Sequence, residues 1–253
     1  MDRLQTWVIN LDRAPERLAR IASQLQRLGL HYTRLAAVDA RALTPEQHGA
    51  LDEAAYRRKH GMAPMLGELG CYLSHVQAMR LFLAGEEDFA LILEDDVLLK
   101  DSLPAVLQGL MAHPGRWDLA KLSAVHSGTP VPYLLLAPGY QLAVMLSKCT
   151  AASAYLVNRR AATVLVQGLL PMSLPYDHAY DRGWHFGIKV RLVTPTPTQH
   201  DEMIASTIGA TSSTNRSRKF PWTQRLPAYA YRLGNELRRV TYGLVQALRE
   251  RVS

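Results

Sequence analysis

The sequence predicts an α/β protein whose mainly parallel central sheet is flanked by helices and followed by a basic amphipathic helix. Apolar runs of strand length alternate with stretches of helical periodicity, the order that βαβ units require. One run, Phe89-Ala90-Leu91-Ile92-Leu93, is apolar at every position, as a strand covered on both faces must be. The basic excess is confined to the end of the chain. Residues 216–253 hold nine Lys/Arg against two acids, whereas the rest carries twenty of each.

The elements follow in order. Residues 6–11 make a short apolar strand. Pro15 at a first-turn position opens a helix with Leu18, Ile21, Leu25 and Leu28 on one face, and Gly29 ends it. A second strand is expected over 32–38, and Thr44-Pro45-Glu46-Gln47 is a capping-box start for a short helix. Residues 68–84 read as a helix with Leu69, Leu73, Val76 and Leu83 inward, stopped by Gly85. Beyond the 89–93 strand, strands are expected at 118–122, 154–157 and 188–193, with an Asn158-capped helix between the last two. In the tail, Tyr229, Ala230, Leu233, Leu237, Val240, Leu244 and Leu248 recur at helical steps and form one stripe, with most of the charges off it. Such a helix either lies in a membrane interface, drawn by anionic lipid, or packs its stripe onto the domain and leaves its arginines to solvent. Nucleic acid is not an expected partner, because no reading motif accompanies the charge. The organisation expected is a domain over 1–215 and a tail over 216–253.

At 253 residues, 48% hydrophobic and 20% charged, the chain can bury a large core without staples. Disordered, collagenous, coiled-coil and disulfide-scaffold classes are excluded. Cys71 and Cys149 read as free thiols of a reducing compartment, and no Cys/His spacing matches a structural zinc site. The N-terminal residues show no export pattern. The most apolar stretch, 131–146, is interrupted by Pro132, Pro138, Gly139 and Gln141 and is too short to span a bilayer. A cytoplasmic location is therefore expected, and Asn215-Arg216-Ser217 is read as an accidental sequon. With no P-loop, GxGxxG, HExxH or GxSxG, kinase, dinucleotide oxidoreductase, zincin and serine hydrolase chemistries are disfavoured.

The sharpest feature is Leu91-Ile92-Leu93-Glu94-Asp95-Asp96-Val97, three carboxylates at the end of the buried strand. Ligands of open α/β sheets bind outside the carboxyl ends of strands. Alternation along an extended chain puts Glu94 and Asp96 on one face and Asp95 on the other. Three clustered acids repel unless something positive neutralises them. A divalent cation bridging to substrate phosphates is one answer, and a solvated acidic turn is the other.

Here the sequence resembles glycosyltransferase family 25, the bacterial lipooligosaccharide galactosyltransferases of the GT-A fold. Four ordered stretches carry the likeness. They are Val8-Ile9-Asn10-Leu11-Asp12-Arg13-Ala14-Pro15-Glu16-Arg17 continuing to Val38-Asp39-Ala40; Gly67-Glu68-Leu69-Gly70-Cys71-Tyr72-Leu73-Ser74-His75; Leu93-Glu94-Asp95-Asp96-Val97; and Ala154-Tyr155-Leu156-Val157-Asn158 with Leu174-Pro175-Tyr176-Asp177 and Pro195 to Gln199.

The resemblance implies inverting transfer of a hexose, galactose above all, from a UDP-sugar to a hydroxyl of a lipooligosaccharide or lipopolysaccharide acceptor. It would occur at the cytoplasmic face of a Gram-negative inner membrane, with the tail on the anionic lipid surface. Mn²⁺ or Mg²⁺ would be held by Asp96, with Glu94 beside it and His200 as a further ligand. Asp95 would accept from ribose hydroxyls, and the loop from Asn10 and Leu11 to Arg17, together with Asp39, would frame uracil and ribose. Lys121 would offer a cation to the pyrophosphate, unless it is a plain surface lysine. Ser74 and His75 would contact phosphate or sugar, unless they serve capping or the core. Asp177 is the first choice of general base, with Glu68 and Asp181 as rivals. Two other readings use the same residues: a sugar nucleotidyltransferase, and a catalytically silent glycan-binding relative.

Overall fold

The computed structural model describes residues 3–126, 128–201 and 217–252; the boundary expected between residues 215 and 216 lies outside them, as do Asn215 and Arg216. In chain order the elements are β1 (Leu4–Asn10), α1 (Pro15–Arg27), β2 (Thr33–Ala36), α2 (Pro45–Gly49), α3 (Glu53–His60), α4 (Leu66–Ala84), β3 (Phe89–Glu94), β4 (Val97–Leu99), α5 (Leu103–Ala112), β5 (Leu119–Lys121), β6 (Pro130–Ala137), β7 (Tyr140–Met145), β8 (Ala154–Asn158), α6 (Arg159–Gly168), α7 (Tyr176–Ala179), α8 (Gly183–Phe186), β9 (Val190–Thr194), β10 (Thr198–His200) and α9 (Leu226–Val252).

Eight strands form one sheet in the order β2-β1-β3-β8-β5-β9-β7-β6. Pairing is parallel for β1 with β2 and β3 and for β5 with β9, and antiparallel around β8 and β7, so six of the eight strands point one way. The expected mainly parallel α/β sheet is present, with two reversed strands set into it. One reversal has a local cause. The apolar stretch 131–146 is a β6–β7 hairpin, turned at Pro138-Gly139 with Gly139 at φ +78. Pro132 is tolerated because β6 is the sheet edge, where an N–H has no ladder to join.

Helices cover both faces. Ala90 and Ile92 of β3 join a core with α4 and α6, and Leu91 and Leu93 join a second core with α1 and α5. This is why β3 is apolar throughout. At the sheet's carboxyl edge α4 lies against the segment that follows β2. A Cβ on Gly70 would stand 2.6 Å from the Val38 carbonyl oxygen, so only glycine allows that approach.

α9 docks with its polar side. Buried Arg239 pairs with Asp181 at 2.8 Å, and fully buried Arg191 pairs with Glu250 at 2.7 Å. Arg116 reaches the same Glu250 at 2.8 Å, and the Tyr242 hydroxyl donates to the Ile188 carbonyl at 2.7 Å. The apolar stripe faces outward, with Leu233, Leu237 and Leu248 each more than 60% exposed. The docking alternative raised above, stripe inward and arginines outward, is thus reversed. Ion pairs set this orientation, and an amphipathic pattern does not encode them. No helix among the described residues is long and apolar enough to cross a membrane.

Glu250→Ala should cost roughly 3 kcal/mol in urea denaturation, because it strands the buried Arg191 charge. Leu244→Ala, on the exposed stripe, should cost under about 0.5 kcal/mol.

Candidate active site

The carboxyl ends of β1, β2 and β3 open onto a cleft with about 650 Å³ of open space, mouth included, closed on one side by α4. Its lining includes Leu11, Arg17, Ser74, His75 and the whole triplet Glu94-Asp95-Asp96. Segments distant in sequence therefore meet here.

The triplet divides differently from simple alternation. β3 ends at Glu94, and Asp95 and Asp96 form a turn before β4. Glu94 meets α4, where its Oε1 lies 3.0 Å from His75 Nε2 and 3.5 Å from the Cys71 thiol. Asp95 and Asp96 instead share the Arg17 guanidinium, which ion-pairs with Asp95 and stands 3.1 Å from Asp96 Oδ2. The Asn10 amide donates to Asp95 Oδ2 at 2.6 Å and to the Ala14 carbonyl at 2.9 Å, and its Oδ1 accepts from Arg34 at 3.1 Å. Asn10 therefore positions Asp95 and is itself buried.

Asp95 and Asp96 are 6% and 8% exposed, so the solvated-turn reading does not hold. Burial raises both carboxyls. Asp96 is lifted to about 6 by burial and by neighbouring Glu94, with Arg17 and His200 offsetting only part. Its Oδ1 is buried with no hydrogen-bond partner among the described residues. Glu94 shows the opposite balance. Burial opposes its ionisation, but the bonds from His75 and Cys71 outweigh it and hold the carboxyl below its usual range.

His75 is fully buried; its Nδ1 meets the Tyr155 hydroxyl at 3.1 Å and its ring stacks on Tyr176 at 4.2 Å between centroids. It orients Glu94 and does not project as a free ligand contact. Ser74, also fully buried, accepts from the Val38 amide at 2.8 Å and donates to the Gly70 carbonyl at 2.7 Å, clasping α4 to the segment after β2. Asp39 lies at the mouth between Val38 and Ala40, paired with Arg13; the Arg41 amide and that guanidinium hold its carboxyl low. His200, on β10 opposite Val97, is exposed and close enough to Asp96 to act on its charge.

Three expected roles need correction or narrowing. Lys121 is neither a pyrophosphate contact nor a surface lysine. It is fully buried, donating to the Cys149 carbonyl at 2.7 Å over the Tyr180 ring, because its β5 position points into the core beside Tyr155. Glu68 pairs with Arg218 at 2.8 Å and accepts from the Tyr56 hydroxyl at 2.7 Å and the Met65 amide at 3.0 Å, which ties it to the fold and not to an acceptor. Asp181 is held by Arg239. Asp177, at the start of α7, keeps a partly exposed side chain and acts electrostatically on Cys71 of the cleft.

Arg17 as the counter-charge, and the Cys71, Tyr155 and Tyr176 surroundings of His75, were not foreseen. The i, i+4 spacing of Cys71 and His75 on α4 was the available signal for the second of these. Sγ of Cys71, a ring nitrogen of His75 and a carboxylate oxygen of Glu94 lie within 4.8 Å of one another, a set a soft cation would suit. Burial and the adjacent Glu94 keep the Cys71 thiol protonated, which works against that use.

Residues 3–127 match the family model for glycosyltransferase family 25 (LPS biosynthesis protein). Over those residues the chain belongs to glycosyltransferase family 25. The matched residues span β1 to β5 and so hold Arg17, His75 and the three acids, but not Asp177, His200 or α9. Among curated relatives, a glycosyltransferase 25 family member of Aedes aegypti is 34% identical over 121 residues, 45% of this chain and 20% of that protein. Procollagen galactosyltransferase 2 of Homo sapiens is 31% identical over 42% of this chain and 18% of its own length. The inactive glycosyltransferase 25 family member 3 of Mus musculus is 30% identical over 47% and 21%. The chain spans about a fifth of the length of these relatives.

The raised Asp96 makes a signed prediction for metal-free protein. Its folded pKa lies above its unfolded value, so its ionisation penalises the fold above about pH 6 and is without effect below about pH 4. In EDTA, Asp96→Asn should be more stable than wild type by on the order of 2 kcal/mol at pH 7.5, with the gap closing towards pH 4 in denaturant titrations. A gap independent of pH would contradict the assignment.

Proposed function

We propose that this chain transfers a hexose from a UDP-sugar to an acceptor hydroxyl with inversion, using a divalent cation, Mn²⁺ or Mg²⁺, at Asp96. The observation that carries the reading is the buried, unpartnered Asp96 Oδ1 on a carboxyl already short of positive charge. That oxygen fits a hard cation with oxygen ligands. Asp96 would hold the ion, with Glu94 and His200 as its flanking candidates. When bound there, such an ion would supply positive charge to offset that of the departing diphosphate.

The chain's own residues do the rest. Arg17 and Asn10 hold the aspartates in place. Leu11, Ala37, Val38 and Ala40 offer a partly apolar wall for the uracil, with Arg13, paired to Asp39, beside them. Asp177 takes the proton of the attacking hydroxyl. Galactose is the proposed sugar because a relative is named as a galactosyltransferase.

The acceptor is proposed to be a lipooligosaccharide or lipopolysaccharide core at the cytoplasmic face of a Gram-negative inner membrane. Support comes from the family description and from α9, whose outward leucines are flanked by exposed Arg238, Arg249 and Arg251. A helix of that kind seats in an anionic interface.

UDP release should be measured across a panel of UDP-sugars, with and without Mn²⁺. Wild type should hydrolyse its donor slowly only with metal, and Asp96→Asn should lose at least about a hundredfold. Absence of release from every UDP-sugar, with metal and acceptor present, would overturn the transferase reading. Separately, serine at Leu233, Leu237, Leu244 and Leu248 should abolish co-sedimentation with phosphatidylglycerol vesicles while leaving donor hydrolysis intact. Retained co-sedimentation would remove the membrane assignment.

A further inference from the structure

A second cavity, with about 840 Å³ of open space including its mouth, lies between α3, α7 and the inner side of α9. α7 links it to the first cleft. His178 lines the cavity, and the preceding Asp177 is near enough to Cys71 and Lys148 to act on both. Lys59, Lys148, Arg232 and Arg239 bring four positive charges to its wall, against the single carboxylate of Glu236.

Arg239 is compensated by Asp181 and Glu236. The other three cations are paired with no carboxylate among the described residues. Lys148 Nζ lies 2.6 Å from His178 Nε2, Lys59 Nζ donates to Ser173 Oγ at 2.8 Å, and Arg232 donates to the His60 carbonyl. Each donor thus rests on a neutral acceptor. Like charges gathered in a half-dry cavity repel, and the effect reaches the ordinary bases around them. Burial depresses both lysines, although Asp177 and Asp181 act in the opposite direction on Lys148 and Asp52 does so on Lys59. Burial with neighbouring cations holds the His60 and His178 imidazoles at about 3, so both rings are neutral at physiological pH. With Nε2 accepting from Lys148, the His178 ring carries its proton on Nδ1. Two ammonium groups, a guanidinium and neutral imidazoles form a donor set in which no cation touches a carboxylate, Asp177 and Asp181 acting on Lys148 only from a distance.

We propose that this cavity binds a phosphoryl group, held by Lys59, Lys148 and Arg232. A phosphoryl group would supply the direct anionic partner that these three cations lack, and ammonium and guanidinium donors bind phosphate oxygens well. On the transferase reading above, on which this placement rests, the site would hold a phosphorylated acceptor beside Asp177. The phosphoryl group has two possible sources, a phosphorylated glycan and a lipid headgroup.

The test is NMR of the histidine ring resonances of the full chain during titration with inorganic phosphate and with glycerol 3-phosphate, against chloride at matched ionic strength. Saturable shifts of His60 and His178, with their titration moved to higher pH, are expected in wild type. The Lys59→Gln, Lys148→Gln double variant should bind phosphate at least roughly tenfold more weakly. Its melting temperature without phosphate should equal or exceed that of wild type, because it removes repulsion; a clear fall would mark the lysines as structural and overturn the proposal. Shifts reproduced by chloride, or retained in the variant, would also overturn it. In the variant with serine at Leu233, Leu237, Leu244 and Leu248, shifts with phosphatidic acid vesicles but not with glycerol 3-phosphate would place the phosphoryl group on lipid, and the reverse would place it on a soluble acceptor. Because donor hydrolysis does not use this cavity, phosphate binding without UDP release would sustain the site while removing the transferase reading. UDP release without phosphate binding would do the reverse.

Discussion

The structure turns on one buried guanidinium. Arg17, carried on α1, lies against Asp95 and Asp96 where β3 gives way to its turn. Three adjacent carboxylates inside a fold would be strongly self-repelling in a medium of low effective dielectric. The chain divides the load, with Arg17 and Asn10 taking the two aspartates and His75 and Cys71 taking Glu94. The division is incomplete by one oxygen. Asp96 Oδ1 has no partner among the described residues, and its carboxyl holds its proton more tightly than an ordinary aspartate. On the proposed reading, a cation at that atom would stabilise the fold, which would link stability to ligand binding at the same residue.

The same logic recurs at the C-terminus. α9 is attached by Arg191, Arg239, Asp181 and Glu250, and its leucines are left outside. Buried ion pairs contribute little net stability but are costly to break. They therefore suit a helix that must be held in one orientation with its apolar side presented to something else. One side of α9 also walls the basic cavity, so the helix brings that cavity and the exposed leucines together.

Much of this was legible in the sequence, and the remainder was hidden for identifiable reasons. The all-apolar 89–93 run identified β3, because burial on both faces leaves no polar position. Pro15, Gly29, Thr44 to Gln47 and Asn158 marked helix ends through local chemistry, and the caps at Thr44 and Asn158 are present as read. The β6–β7 hairpin was visible only as a broken apolar stretch, since its strands lie at a sheet edge where prolines are tolerated. At the site, Glu94, Asp95 and Asp96 could be placed at a strand end, but their partners could not. Arg17 and His75 come from other segments, and pairing across the fold has no periodicity to read. Lys121 was misplaced for the complementary reason: a short strand gives no clue to which face a lone lysine occupies, and this one is satisfied by a carbonyl and a ring. The α9 stripe was correctly drawn, but amphipathicity alone does not say which side meets the protein.

The most direct test of the account is a crystal structure of the chain grown with Mn²⁺ and UDP, with the metal located by its anomalous scattering. The account predicts one peak in contact with Asp96 Oδ1, between that carboxylate and the diphosphate, with Arg17 still on Asp95. A peak on Cys71 and His75 instead, or ordered UDP with no metal at Asp96, would contradict it.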